Sequence, residues 1–151
     1  MNDTAWLDER QLGAWRAFLL VGSHLERQVE QQLRDEAQLS HQQYEVLSRL
    51  ADAPDGELRM TILADVALTS KSGLTYQVTQ LEKAGLVHRR TCAGDDRGVV
   101  ASLTPAGLEK VRATAPGHAS LVRELFVDGL SPEEFEGLST GLAILAKRLT
   151  G

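Results

Sequence analysis

The hydrophobic period of this chain changes at Gly85, and that change constrains the fold more than any other feature. Before it, Leu74, Val78 and Leu81 recur at steps of four and three, the spacing of one helix face. After it, Leu86-Val87-His88-Arg89-Arg90-Thr91 and Val99-Val100-Ala101-Ser102-Leu103 read as strands. Between them, Ala93-Gly94-Asp95-Asp96-Arg97-Gly98 has the composition of a hairpin turn. Ser70 is suited to cap the start of the preceding helix and Gly85 to terminate it after Ala84. A shorter helix over Met60 to Val66, with Ile62, Leu63 and Val66 pointing inward, is set off from it by the break Ala67-Leu68-Thr69-Ser70. Helix, break, helix and hairpin in that order predict a winged helix-turn-helix.

Longer helices flank this unit. Leu12, Trp15, Phe18, Leu19, Gly22, Leu25, Val29 and Leu33 paint one stripe on an N-terminal helix. Ser40 caps a second helix containing Tyr44, Val46, Leu47 and Leu50, which stops before Pro54-Asp55-Gly56. Thr104 with Pro105 at the first position opens another, expected to break or kink at Pro116-Gly117 and continue through Leu121, Leu125 and Phe126. Ser131, Pro132 and Glu134 form the start signal of a last helix bearing Phe135, Leu138, Leu142, Leu145 and Leu149. The expected fold class is mainly α with a small β-wing. The terminal stripes exceed what a small winged unit can cover, so they are expected to bury against each other or a second subunit.

A chain of 151 residues with 42% hydrophobic and 25% charged residues can bury a core without disulfides, and its one cysteine, Cys92, permits no intramolecular one. The apolar runs are too short for a membrane helix, and Met1 to Arg10 lacks the apolar segment of a secretory signal, so a cytoplasmic protein with no membrane partner is expected. The net charge of -5 would by itself count against nucleic acid. Its distribution matters more. From Glu57 to Val100 there are six basic and five acidic residues, a surplus of +1, which leaves ten basic and sixteen acidic residues, or -6, elsewhere.

On the helix ending at Ala84, the face opposite Leu74, Val78 and Leu81 carries Ser72, Thr75, Tyr76, Thr79 and Lys83. Short hydroxyls can approach phosphates and base edges, and such a helix fits a major groove. An ordinary solvated face is the alternative. Arg97 projects from the hairpin turn, where a guanidinium can enter a narrow minor groove, and Asp95 can orient it or close the turn. A surface salt bridge is the alternative there.

The run from Asp95 to Gly107, with Asp-x-Arg, an alternating strand and Leu103-Thr104-Pro105-Ala106-Gly107, resembles the wing signature of the MarR family of transcriptional regulators. Leu68 to Thr75 and Leu81-Glu82-Lys83-Ala84-Gly85-Leu86-Val87 resemble that family's recognition helix and the exit from it. Three motifs occur in order, and the resemblance covers the whole chain. It implies one domain over 1-151, with a winged helix-turn-helix DNA-binding lobe at about 57-104 and dimerisation helices at about 8-38 and 105-150. It further implies a homodimer on pseudo-palindromic double-stranded DNA; repression is the expected outcome of binding, with activation the alternative. Ser70, Lys71, Ser72, Thr75 and Tyr76 would lie in the DNA-reading part of the helix, with Arg97 the wing arginine and Asp95 its partner. Many relatives have arginine where this chain has Tyr76, so base readout differs or an aromatic contact replaces a charged one.

Family members respond to small aromatic or lipophilic effectors, and Trp15, His24, His41 and Tyr44 are the candidates for lining such a site here. Core or interface packing is their alternative role. Cysteines that sense oxidants in some relatives lie near the first helix; Cys92 lies between strand and wing, where a small apolar filler is expected. No cofactor or metal is expected, because His24, His41, His88 and His118 lack ligand spacing, and no nucleophile or phosphate-loop motif suggests an enzyme. A winged helix used for protein-protein contact would need neither the polar helix face nor the wing arginine.

Overall fold

The computed structural model describes residues 5-67, 69-92 and 98-151. Its elements are α1 (Glu9–Ala37), α2 (His41–Asp52), a 3-10 turn (Pro54–Gly56), β1 (Glu57–Arg59), α3 (Met60–Val66), α4 (Lys71–Lys83), β2 (Val87–Thr91), β3 (Val99–Leu103), α5 (Pro105–Val122), a π-helical turn (Arg123–Val127) and α6 (Pro132–Thr150). The architecture is mainly helical with one small antiparallel sheet in the order β1-β3-β2. No helix among the described residues is long and apolar enough to cross a membrane.

The helix ends follow their capping residues. Ser40 and Ser131 each form a reciprocal capping box, with Gln43 and Glu134. The Ser70 hydroxyl accepts from the Gly73 N-H at 3.1 Å. Gly85 stands in the left-handed region at φ +77°, while the Leu86 N-H reaches the Leu81 carbonyl and the Gly85 N-H reaches that of Glu82, both at 3.0 Å. This pair of bonds stops α4 and turns the chain into β2. Thr104 caps α5 by accepting from the Gly107 N-H at 3.0 Å, and donates to the Gly85 carbonyl at 2.7 Å, joining the two helix ends.

The chain divides into two compact units, one comprising residues up to Leu25 together with Ala119–Gly151, the other Glu26–His118. The second unit has an ordinary core: Leu33, Val46, Leu47, Leu50, Leu63, Leu74, Val78 and Leu81 are fully buried. Its sheet pairs Arg89 and Arg90 of β2 with Ala101 and Val100 of β3, and Val100 in turn with Arg59 of β1. The Cys92 N-H donates to the Gly98 carbonyl at 2.9 Å, closing the base of the hairpin.

The first unit is different. No residue of α6 is buried, although the helix carries Phe135, Leu138, Leu142, Ile144, Leu145 and Leu149. Trp15 is 52% exposed, Phe18 57%, Ile144 63% and Leu149 80%. The α1 stripe is thus continuous in sequence but covered only along its later part, where Val29, Leu33 and Ala37 are buried.

Two expectations need correction, and one strand carries no signal in the sequence. The helix does not break at Pro116-Gly117: α5 runs through both, and the irregular turn follows at Arg123–Val127. Close packing against α1 explains this, since a Cβ on Gly117 would come within 2.7 Å of Glu36 Oε2 and 3.0 Å of Gln32 Nε2. In α3, only Leu63 is buried; Ile62 and Val66 are exposed, because a helix of seven residues presents few side chains to one side. The first β-strand, three residues long, is too short to show alternation, and forms because Asp55 and Gly56, at φ 59° and 67°, turn the chain alongside β3.

Candidate functional site

Over the buried row Leu74, Val78 and Leu81, helix α4 exposes Ser70, Lys71, Ser72, Thr75 and Tyr76 together. Tyr76 is 61% exposed, although it carries a large aromatic ring. The hydroxyls are not equivalent. Ser70 Oγ is occupied with the helix cap and lies 3.3 Å from Ser72 Oγ. Thr75 donates to the Lys71 carbonyl at 3.1 Å, so its oxygen faces outward as an acceptor. Arg97 and Asp95, the predicted wing pair, lie outside the described residues.

Thr79, expected on the same outer face, is half-buried instead. Its hydroxyl donates to the Thr75 carbonyl at 2.8 Å and accepts from Arg89 Nη2 at 3.2 Å. Arg89 Nη2 also meets Glu82 Oε1 at 3.0 Å, and the Arg89 main-chain N-H donates to Glu82 Oε2 at 3.0 Å. These bonds, first from the guanidinium and then from the backbone, hold the Glu82 carboxyl below the usual carboxylate range. The next arginine projects to the other side of β2: Arg90 Nη2 lies 2.9 Å from both carboxylate oxygens of Glu57. Both basic residues of β2 therefore have carboxylate partners. Alternation in the strand signals their opposite directions, but the partners, 7 and 33 residues away, carry no local sequence signal.

The predicted effector residues fall into two groups. Trp15 and His24 belong to the unit with α6, where Trp15 stacks on Phe18 with ring centroids 6.0 Å apart. His41 and Tyr44 belong to the other unit and come together with a residue not anticipated as a partner, His118: the Tyr44 and His118 centroids are 4.7 Å apart, and those of His41 and His118 6.1 Å. His41 Nδ1 is 2.8 Å from Glu26 Oε2, and Nε2 is 3.8 Å from Glu45 Oε1. Hydrogen bonding toward Glu45 and then Glu26 raises the His41 imidazole above its ordinary value against the effect of burial; the contact with Glu26 is the shorter and firmer one. Burial, followed by the His41 charge, pushes His118 down, and its Nδ1 is buried with no hydrogen-bond partner among the described residues. Among the described residues no group of three or more His, Cys, Asp or Glu could hold a metal ion.

With that geometry in place, the comparisons with known proteins converge. A family model described as "MarR family" matches residues 39-99. The transcriptional regulator HosA of Escherichia coli O127:H6 is 36% identical over 98 residues, 65% of this chain and 70% of HosA. The transcriptional repressor YetL of Bacillus subtilis is 30% identical over 112 residues, 74% of this chain and 66% of YetL. Among solved structures, Sco3205, a MarR family regulator from Streptomyces coelicolor crystallised with DNA, superposes with a TM-score of 0.94 at 37% identity, covering 100% of this chain and 94% of that one.

Proposed function

The chain belongs to the MarR family of transcriptional regulators, and from that premise we propose that it binds a pseudo-palindromic operator as a homodimer and represses the adjoining gene. In this reading, α4 enters the major groove through Ser70, Lys71, Ser72, Thr75 and Tyr76, and Arg97, oriented by Asp95, enters the adjoining minor groove. The observation that carries the reading is the exposed polar face of α4, with Tyr76 bare beside Lys71 and the hydroxyls. The 37% identity to a regulator solved on DNA, Sco3205, supports it. The name of YetL supports repression.

Residues 57-104 act as the reading head, and 8-38 and 105-150 as dimerisation helices. The uncovered apolar surface of α1 and α6 supports a dimer: so large an exposed patch is what a subunit interface leaves when one chain stands alone. A small phenolic or lipophilic effector weakens DNA binding. The grouping of His41, Tyr44 and His118, rings with polar edges, supports a site for it.

The test is a gel shift against the promoter next to the protein's own gene, with Lys71→Ala and Arg97→Ala. Both variants lose operator affinity and remain dimers. Binding that is unchanged in both across a salt titration refutes the reading, since phosphate contacts make affinity fall as salt rises. Adding phenolic compounds to the same assay tests the effector.

A further inference from the structure

A cleft of about 440 Å³ opens between α4 and the base of the hairpin, lined among others by Arg59 from the end of β1, Thr61 from the start of α3, Thr75 from α4, Arg89 from β2 and Gly98 beside β3. We propose that this cleft is a phosphate subsite: it holds one phosphate of the DNA backbone in each protomer, ligated by Arg89 and Thr61. The proposal rests on the DNA-binding reading above and extends it to residues that neither the reading face nor the wing tip includes.

The first argument is topological. A helix in a major groove and a wing in the adjoining minor groove straddle the sugar-phosphate strand that separates those grooves. Whatever lies between helix and wing base meets that strand. The second argument is chemical. Beside the apolar Met60 and Val99, the cleft presents guanidinium and hydroxyl groups, and no carboxylate lines it among the described residues. Thr61 is exposed at its edge.

The third argument concerns how Arg89 is held. Its two bonds to Glu82 and Thr79 both use Nη2. A guanidinium carries five N-H groups, so those of Nε and Nη1 lie outside these bonds. Glu82 grips the guanidinium and the main-chain N-H of the same residue, fixing both ends of a side chain that would otherwise sample many rotamers. Glu82 is thus a positioning residue, and Arg89 a ligand prepared before DNA arrives. Arg90 has no comparable part, because it does not line the cleft and instead meets Glu57 across the sheet.

The experiment uses the full-length dimer, an operator duplex obtained by selection, and a random duplex of equal length, each titrated with salt. Arg89→Gln lowers the slope of log affinity against log salt by about two for the dimer, since each phosphate contact contributes roughly 0.9. It does so on operator and random duplex alike. Thr61→Val weakens binding by about 3- to 10-fold without changing the slope, as loss of neutral hydrogen bonds requires. A methylphosphonate walk along the operator finds a position that weakens the wild type but not Arg89→Gln. A purely structural role for Arg89 lowers the thermal midpoint and leaves the slope where it was, and that result overturns the proposal. So does wild-type affinity in Thr61→Val. If Arg89→Gln does not fold, Thr61→Val and the methylphosphonate walk on wild type decide, and a walk with no sensitive position between the major- and minor-groove footprints counts against the cleft. A wild-type protein that binds neither duplex at any salt overturns the DNA-binding reading itself, a result distinct from those above.

Discussion

Gly107→Ala sets two opposed effects against each other at one atom. Gly107 lies buried in the first turn of α5, and an added Cβ would overlap the Leu86 carbonyl oxygen and come within 2.8 Å of Leu103 Cδ1. Helix propensity favours the substitution by about 1 kcal/mol. Sterics oppose it, and the opposing atom belongs to the main chain, so no rotamer change relieves the overlap. The Leu86 carbonyl has to retreat by more than about 1 Å to reach ordinary contact distance. That carbonyl accepts from the Thr104 N-H at 3.1 Å, and its neighbour, the Gly85 carbonyl, accepts from the Thr104 hydroxyl at 2.7 Å. Overpacking costs about 1 to 3 kcal/mol, and two weakened hydrogen bonds cost about 1 kcal/mol each. Set against the propensity gain, the net destabilisation is about 2 to 4 kcal/mol. Urea denaturation followed by circular dichroism, at one protein concentration because a dimer's midpoint depends on it, reads this as a midpoint lower by about 1 M. A variant as stable as wild type or more so refutes the argument, for it would mean that the junction of α4, β2 and α5 yields freely.

Two other outcomes are expected. Leu145→Glu together with Phe18→Asp, at exposed positions of α6 and α1, gives a folded monomer by light scattering at micromolar concentration with helical content largely kept; a dimer that persists shows the interface lies elsewhere. Stability against pH has a maximum near the ordinary histidine value of 6.5, with His41 and His118 acting on opposite sides. His41, raised in the folded state, contributes stability that is fully present below 6.5 and lost as pH rises through its folded value; His118, lowered, contributes stability present above 6.5 and lost as pH falls through its folded value. Urea midpoints from pH 5 to 8.5 check this, with His41→Asn flattening the alkaline limb and His118→Asn the acid limb; the reverse assignment, or a flat wild-type profile, refutes it.

Much of the fold was legible because its signals are short-range. Ser40, Ser70, Thr104 and Ser131 cap the helices they were expected to open, and Gly85 stops α4. Pro116 misled because its local tendency to interrupt a helix is opposed by packing of Gly117 against Gln32 and Glu36, some eighty residues earlier in the chain. Ile62 and Val66 misled because periodicity identifies an apolar side and not whether anything covers it. The exposed polar face of α4 was legible from the helical arc opposite Leu74, Val78 and Leu81, except at Thr79, which Arg89 claims from the neighbouring strand.

The residue order alone thus decides where the capped helix ends fall and which face of α4 is polar, since each depends on neighbours within a turn or two, and it places the acidity outside Glu57 to Val100. Tertiary structure decides which charges remain for a partner. The sequence count of +1 over Glu57 to Val100 treats Arg89 and Arg90 alike, yet one is anchored by Glu82 at the mouth of a cleft and the other is tied to Glu57. Ion pairs form between groups that the fold brings within hydrogen-bonding distance, and separation along the chain does not encode that distance.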